Sequence, residues 1–350
     1  MQRTSVVVLL GVLLAGLVMN AAAQQNLPLP EASPAASVTQ TVGITEITVR
    51  YHRPGVKGRT IWGGLVPFDD VWRAGANENT TISFSGPVRF SGKEIAAGTY
   101  GLHMIPTKEE CTVILSTNAT SWGSYFYRQD EDALRVRVRP RPSPDQEWLS
   151  YQFNDLTPSS AVLSLRWAGL EVPMTIEVDV PASVVTQARD VYLRGLAGFS
   201  WQGWYQAASY CAMYAVNTQE ALGWADRAIG MNRNFNTLWV KGVLLEQAGN
   251  KTEGDHTKQE AAMIADEAAI NALGYQYLGA GKLEGAIELF TANVRRYPDS
   301  WNVYDSLGEG YAAAGKTDLA ITNYTKALTM TADETQKERI RKVLKGLGAQ

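Results

Sequence analysis

The sequence has little of what metal and catalytic centres are usually built from. It holds three histidines, His52, His103 and His256, and two cysteines, Cys111 and Cys211. The histidines are dispersed and match no ligand spacing, so no metal site is expected. Cys111 falls in a strand-like run and Cys211 in a helical one, where a buried free thiol behaves as a small hydrophobe; in an oxidising compartment the alternative is that the two pair. There is no G-x-S-x-G elbow, no H-E-x-x-H helix and no Walker loop, so no catalytic residue and no cofactor is assigned. An excess of one charge is also missing, with 32 Lys and Arg against 35 Asp and Glu. Without a concentrated positive field, nucleic acid is excluded as a partner.

What is present begins with a leader pattern. Arg3 precedes an apolar run from Val6 to Met19, and Ala21-Ala22-Ala23 follows. This reads as a secretory signal peptide over residues 1–23, too short in its apolar part for the roughly 20 residues of a membrane span. The mature chain is therefore expected to be secreted or periplasmic, with no span. With 45% apolar and 19% charged residues, the remainder suits two globular domains. Residues 24–36 are polar and Pro-rich, a flexible lead-in.

Over residues 37–180 the apolar period is two. Ile47, Val49 and Tyr51, then Tyr100, Leu102 and Met104, then Leu134, Val136 and Val138 alternate with other residues. About nine short strands separated by Gly, Pro and Asn turns predict an all-β antiparallel sandwich, with Ala168-Gly169 in a hairpin turn. After Pro181 the period becomes helical. Residues 181–201 read as a connecting helix and 202–347 as a helical array ending in a capping helix. Leu273-Gly274, Tyr277, Ala286 and Phe290 recur 34 residues on as Leu307-Gly308, Tyr311, Ala320 and Tyr324. That pattern resembles tetratricopeptide repeats, two well-formed and two degenerate, which implies an all-α array that binds a protein or peptide.

The first half carries a second resemblance. Arg53-Pro54, Gly58-Arg59, Trp62-Gly63, Trp72-Arg73, Gly75-Ala76-Asn77, Ala97-Gly98-Thr99-Tyr100 and Trp122-Gly123 are similar to the bacterial secreted family domain of unknown function 2911. The resemblance implies a fold unit and a secreted setting and supplies no mechanism.

Candidate binding residues follow from side-chain chemistry. Arg59, Arg73, Trp62, Asn77 and His103 offer forks, stacking faces and directional donors for a small ligand or glycan. The same residues also suit a crossover that must satisfy its own carbonyls. An alternative is a hydrolase acting on an extracellular glycan or peptide, its pocket near residues 53–80 and Glu78 as general acid or base. Asp69-Asp70 reads more simply as the N-cap of a short helical turn. In the array, the resemblance puts Asn271, Tyr275, Asn302, Asp305 and Glu309 on a concave partner groove. The acidic Asp305 and Glu309 stand where a basic clamp for a chain terminus would be.

Overall fold

The structure is a computed structural model that describes residues 29–349; the expected leader lies outside them. The β module contains β1 (Ala35–Val42), β2 (Thr45–His52), β3 (Thr81–Phe84), β4 (Val88–Phe90), β5 (Lys93–Ile95) and β6 (Gly98–Pro106). It continues with β7 (Cys111–Ser116), β8 (Asp132–Val138), β9 (Arg141–Pro142), β10 (Ser150–Asn154), β11 (Ser160–Trp167) and β12 (Leu170–Glu177). One sheet runs β1-β2-β3-β6-β7-β8; the other runs β10-β11-β12-β4-β5, with β9 beside β12. Every pairing between these strands is antiparallel.

Alternation explains how the sheets close on each other. In β2, Ile47, Val49 and Tyr51 are buried while Glu46 and Arg50 are exposed. Met104 and Leu115 from one sheet join Leu163, Leu165 and Trp167 from the other in a single core. At the β11–β12 hairpin Ala168 and Gly169 have φ of 46° and 74°, the left-handed pair that a two-residue hairpin of this type requires. β1, β4, β5 and β9 lie outside the strands read from the sequence. β1 is an edge strand whose inward residues Ala36, Val38 and Gln40 are only half-buried, with Val42 alone fully buried, and the other three are two or three residues long.

The crossover from Arg53 to Thr80 is irregular but pinned. The Trp72 N–H donates to the Met104 carbonyl and the Met104 N–H to that of Trp72, both at 2.8 Å, extending the β6 ladder past β3. Asp69-Asp70 caps no helix: Asp69 sits at φ 67° in a turn that feeds this bridge.

Beyond β12, α1 (Val180–Gln187) is capped by Asp179, and a π turn (Ala188–Tyr192) and a 3-10 turn (Leu196–Phe199) lead into the array. Four helix pairs follow. They are α2 (Trp201–Tyr214) with α3 (Thr218–Met231), and α4 (Phe235–Gln247) with α5 (Lys251–Ile264). Next come α6 (Glu267–Gly279) with α7 (Leu283–Arg296), and α8 (Trp301–Ala313) with α9 (Thr317–Met330). The expected small positions are where the helices touch. A Cβ on Gly274 would sit 2.4 Å from the Phe290 ring, and one on Gly308 3.0 Å from Tyr324. Helix α10 (Glu334–Gly346) buries Ile340 and Leu344 against the last pair, and its outer side carries Lys and Arg, closing that end of the stack. No helix among the described residues is long and apolar enough to cross a membrane.

Candidate functional site

In the crossover the arginines are engaged with backbone. Arg53 Nε donates to the Leu149 carbonyl at 2.8 Å, and Arg59 donates to the carbonyls of Gly55 at 2.7 Å and Val56 at 3.1 Å. Arg73 Nη1 donates to the Asn77 carbonyl at 2.6 Å. Trp62 packs edge-on against Trp72 and Trp167, while Trp72 stacks on Trp167 at 6.0 Å, so the tryptophans brace one another across the two sheets. Asn77 adopts φ 56°, a conformation Asn tolerates, and its Nδ2 donates to Glu31 and to the Ser33 carbonyl. Glu78, the acid of the hydrolase alternative, faces His52 at 3.3 Å, and Glu31 lies at the same distance on the other side of that ring.

His103 and Arg73 meet at the loop joining β7 to β8, whereas Arg59 and Trp62 make their contacts elsewhere. His103 is 2% exposed, and its Nδ1 lies 2.8 Å from Ser124 Oγ in that loop. Burial lowers its pKa to about 4, opposed by nearby Asp132 and assisted by Arg73, so the ring is neutral at pH 7. Tyr127 packs beside it at 5.4 Å with its ring tilted by 58°, and donates to Asp132, which also accepts from Arg135. Arg73 lies under the Tyr125 ring at 5.2 Å and against Gly123, where a Cβ would approach the guanidinium to 2.6 Å. Asn118 Oδ1 accepts from Thr120 N–H, closing an Asx turn, and also from Ser121 N–H and Oγ. Sequence reasoning passed over Ser124, Asn118 and the loop aromatics. The run Trp122-Gly123-Ser124-Tyr125-Phe126-Tyr127, unusually aromatic for a loop, was the available signal.

The array presents a different situation. Tyr275 on α6 is 37% exposed and donates to Glu309 on α8 at 2.8 Å; burial of the rest of its ring pushes the phenol up to about 12. Asn302 donates to Glu267 at 3.0 Å. Asp305 is 6% exposed and accepts from Arg339 of α10 through Oδ2, while its Oδ1 has no partner. Burial, only partly offset by Arg339, raises the Asp305 pKa. Asn271, at the equivalent place on α6, is half-buried, and its Oδ1 is likewise unpartnered. The structure thus places Asn271 and Tyr275 on α6 and Asn302, Asp305 and Glu309 on α8, two helices that touch each other.

A cavity of about 1060 Å³ lies between α1 and the β module beside Ile44, Arg89 and Glu177 and contains none of these residues. Among the described residues no group of His, Cys, Asp and Glu is placed to hold a metal ion.

Residues 33–176 match the family described as Protein of unknown function (DUF2911). The DUF2911 segment covers the β module through most of β12 and stops short of the array. No curated protein matches the chain. Among solved structures it is similar to YrrB, titled a TPR protein with an unusual peptide-binding site, at 18% identity, TM-score 0.24, covering 41% of this chain and 76% of that one. It is also similar to MamA from Desulfovibrio magneticus RS-1, at 15% identity, TM-score 0.23, covering 42% and 82%. A third is Pseudomonas aeruginosa pilF, at 14% identity, TM-score 0.25, covering 43% and 70%. The repeat assignment rests on this chain's own helix pairs.

Proposed function

We propose that the chain is a secreted or periplasmic binding protein whose helical array captures an extended segment of a partner protein along α6, α8 and α10. The observation that carries this reading is Asn271, a half-buried amide side chain on α6 whose buried Oδ1 has no hydrogen-bond partner. Buried polar groups are normally paired, and one left unpaired costs about 1–3 kcal/mol. A purely structural array would be better served by leucine there. Asp305 Oδ1 repeats the pattern on α8. Asp305 and Glu309 against the single Arg339 favour N–H donors and basic side chains. They disfavour a chain-terminal carboxylate.

Peptides selected from a displayed random library against the full chain test the reading. They are expected to be Lys- or Arg-containing and to lose about tenfold affinity for Asn271→Leu/Glu309→Gln, with helical content unchanged. Failure to enrich any peptide, or equal affinity for the variant, would refute it.

A further inference from the structure

The outer side of an edge strand is a row of backbone N–H and C=O groups without partners, and folded chains blunt such rows with charge, proline, a bulge, shortness or a covering segment. The two sheets end on β1, β8, β10 and β5. Three of these edges are blunted. β10 and the residues leading into it are covered by the crossover and by Tyr51: the Leu149 N–H donates to the Pro54 carbonyl at 3.1 Å, the Val56 N–H to that of Glu147 at 2.8 Å, and the Tyr151 N–H to the Tyr51 hydroxyl at 3.1 Å. β8 carries Arg135 and Arg137, and Lys93 Nζ donates to the Arg135 carbonyl at 2.9 Å. β5 is three residues long, two of them charged.

β1 is different. Its eight residues include no charged side chain and no proline, and they pair with β2 in one unbroken register. The Arg53 N–H donates to the Pro34 carbonyl just before that register begins, which fixes the phase of the ladder. Ala35, Ser37, Thr39 and Thr41 therefore turn their N–H and C=O groups away from β2, and all four residues are exposed. Among the described residues the partner found on this row is Gln40 Nε2, which donates to the Thr41 carbonyl at 2.9 Å, a side-chain cap that an incoming strand can displace.

We propose that β1 pairs antiparallel with β1 of a second copy, joining two six-stranded sheets edge to edge. Alternating backbone donors and acceptors are matched in full only by another extended backbone, so a strand is what covers them. A second copy supplies one of the same length that is itself unpaired and opposes no like charges, whereas β8 set against its own copy would bring arginines together. A two-fold axis at Val38 sets Ala35 against Thr41 and Ser37 against Thr39, so each outward-turned residue meets another. One strand pair is a small interface, and monomer and dimer exchange. This inference is independent of the groove in the array.

Sedimentation of the full chain between about 1 and 100 μM tests it, with a dimer dissociation constant of about 10 μM expected. The Ser37 N–H faces away from β2, so Ser37→Pro removes no backbone bond of the folded chain and blocks the incoming strand. Dimerisation is expected to weaken at least about tenfold, with the melting temperature of the dilute chain unchanged. Ser37→Thr is expected to dimerise like the wild type. Amide exchange reads the interface without any variant: Ser37, Thr39 and Thr41 exchange slowly in concentrated samples and fast in dilute ones, while Ala36 and Val38, bonded to β2, stay slow in both. A monomer at about 100 μM would overturn the proposal and leave the edge to a strand of another protein. So would a dimer that Ser37→Pro leaves intact, or exchange at the three outward amides that ignores concentration.

Discussion

The crossover of the β module and the α6–α8 face of the array are both rich in polar side chains, yet the arginines of the one are satisfied by backbone, leaving only Asn79 Oδ1 unpaired there, while two of the candidate groove residues of the other keep unpaired acceptors. Arg53, Arg59 and Arg73 each end on a backbone carbonyl, and Asn77 ties the crossover to Glu31 and Ser33. Asn271 and Asp305 each keep an acceptor with no partner. Residue type alone does not separate a strut from a binding group. Whether the folded chain has already satisfied it does.

The largest expected effect checks that the two regions have separate cores. Leu307 is 5% exposed in the array core, so Leu307→Asp buries an unpaired charge and costs about 4 kcal/mol or more. Hydrogen exchange is expected to show α6–α9 amides unprotected while β6 and β7 stay protected. Loss of protection in both would mean that the modules fold as one.

Acid should divide them next. His103 has a folded pKa of about 4 against an ordinary value of 6.5, so the unfolded chain binds the extra proton between those values. The stability this burial preserves is full above pH 6.5 and is lost as pH falls toward 4. The slope approaches about 1.4 kcal/mol per pH unit, roughly 3 kcal/mol in all. Asp305 works the other way: its raised pKa makes the array gain from protonation as pH falls toward the carboxylate range. Urea melts at pH 7 and pH 5 followed by exchange in β6 are expected to show the loss, and His103→Gln should flatten it.

Smaller still is Arg73→Ala, which unpairs the Asn77 carbonyl and leaves Tyr125 and Gly123 without their support. About 1–3 kcal/mol is expected from the β module by thermal melt. Arg59→Ala removes two bonds within one exposed turn and is expected to cost under about 1 kcal/mol. Equal costs would blur the distinction between a strut at a shared anchor and a local one.

Much of this was legible from periodicity. Alternation in β2, β6 and β8 and the recurrence at Gly274 and Gly308 are local signals, and they lead to two sheets and paired helices. The expectation that Asn271, Tyr275, Asn302, Asp305 and Glu309 share a face was legible because a 34-residue repeat places residues at equivalent positions on α6 and α8. The β-module contacts were not. That Arg73 lies beneath Tyr125, or that His103 meets Ser124, depends on pairing between β3, β6 and β7 that no short-range pattern encodes. The irregular crossover likewise takes its shape from the Trp72–Met104 bridge, so Asp69-Asp70, read locally as a cap, became a turn.

The most direct test of the central claim is Asn271→Leu in the full chain, read by melting temperature and by affinity for a library-selected peptide. An unsatisfied groove group predicts an unchanged or higher melting temperature together with an affinity loss of about tenfold. A lower melting temperature with unchanged affinity would make Asn271 a structural residue and contradict the account.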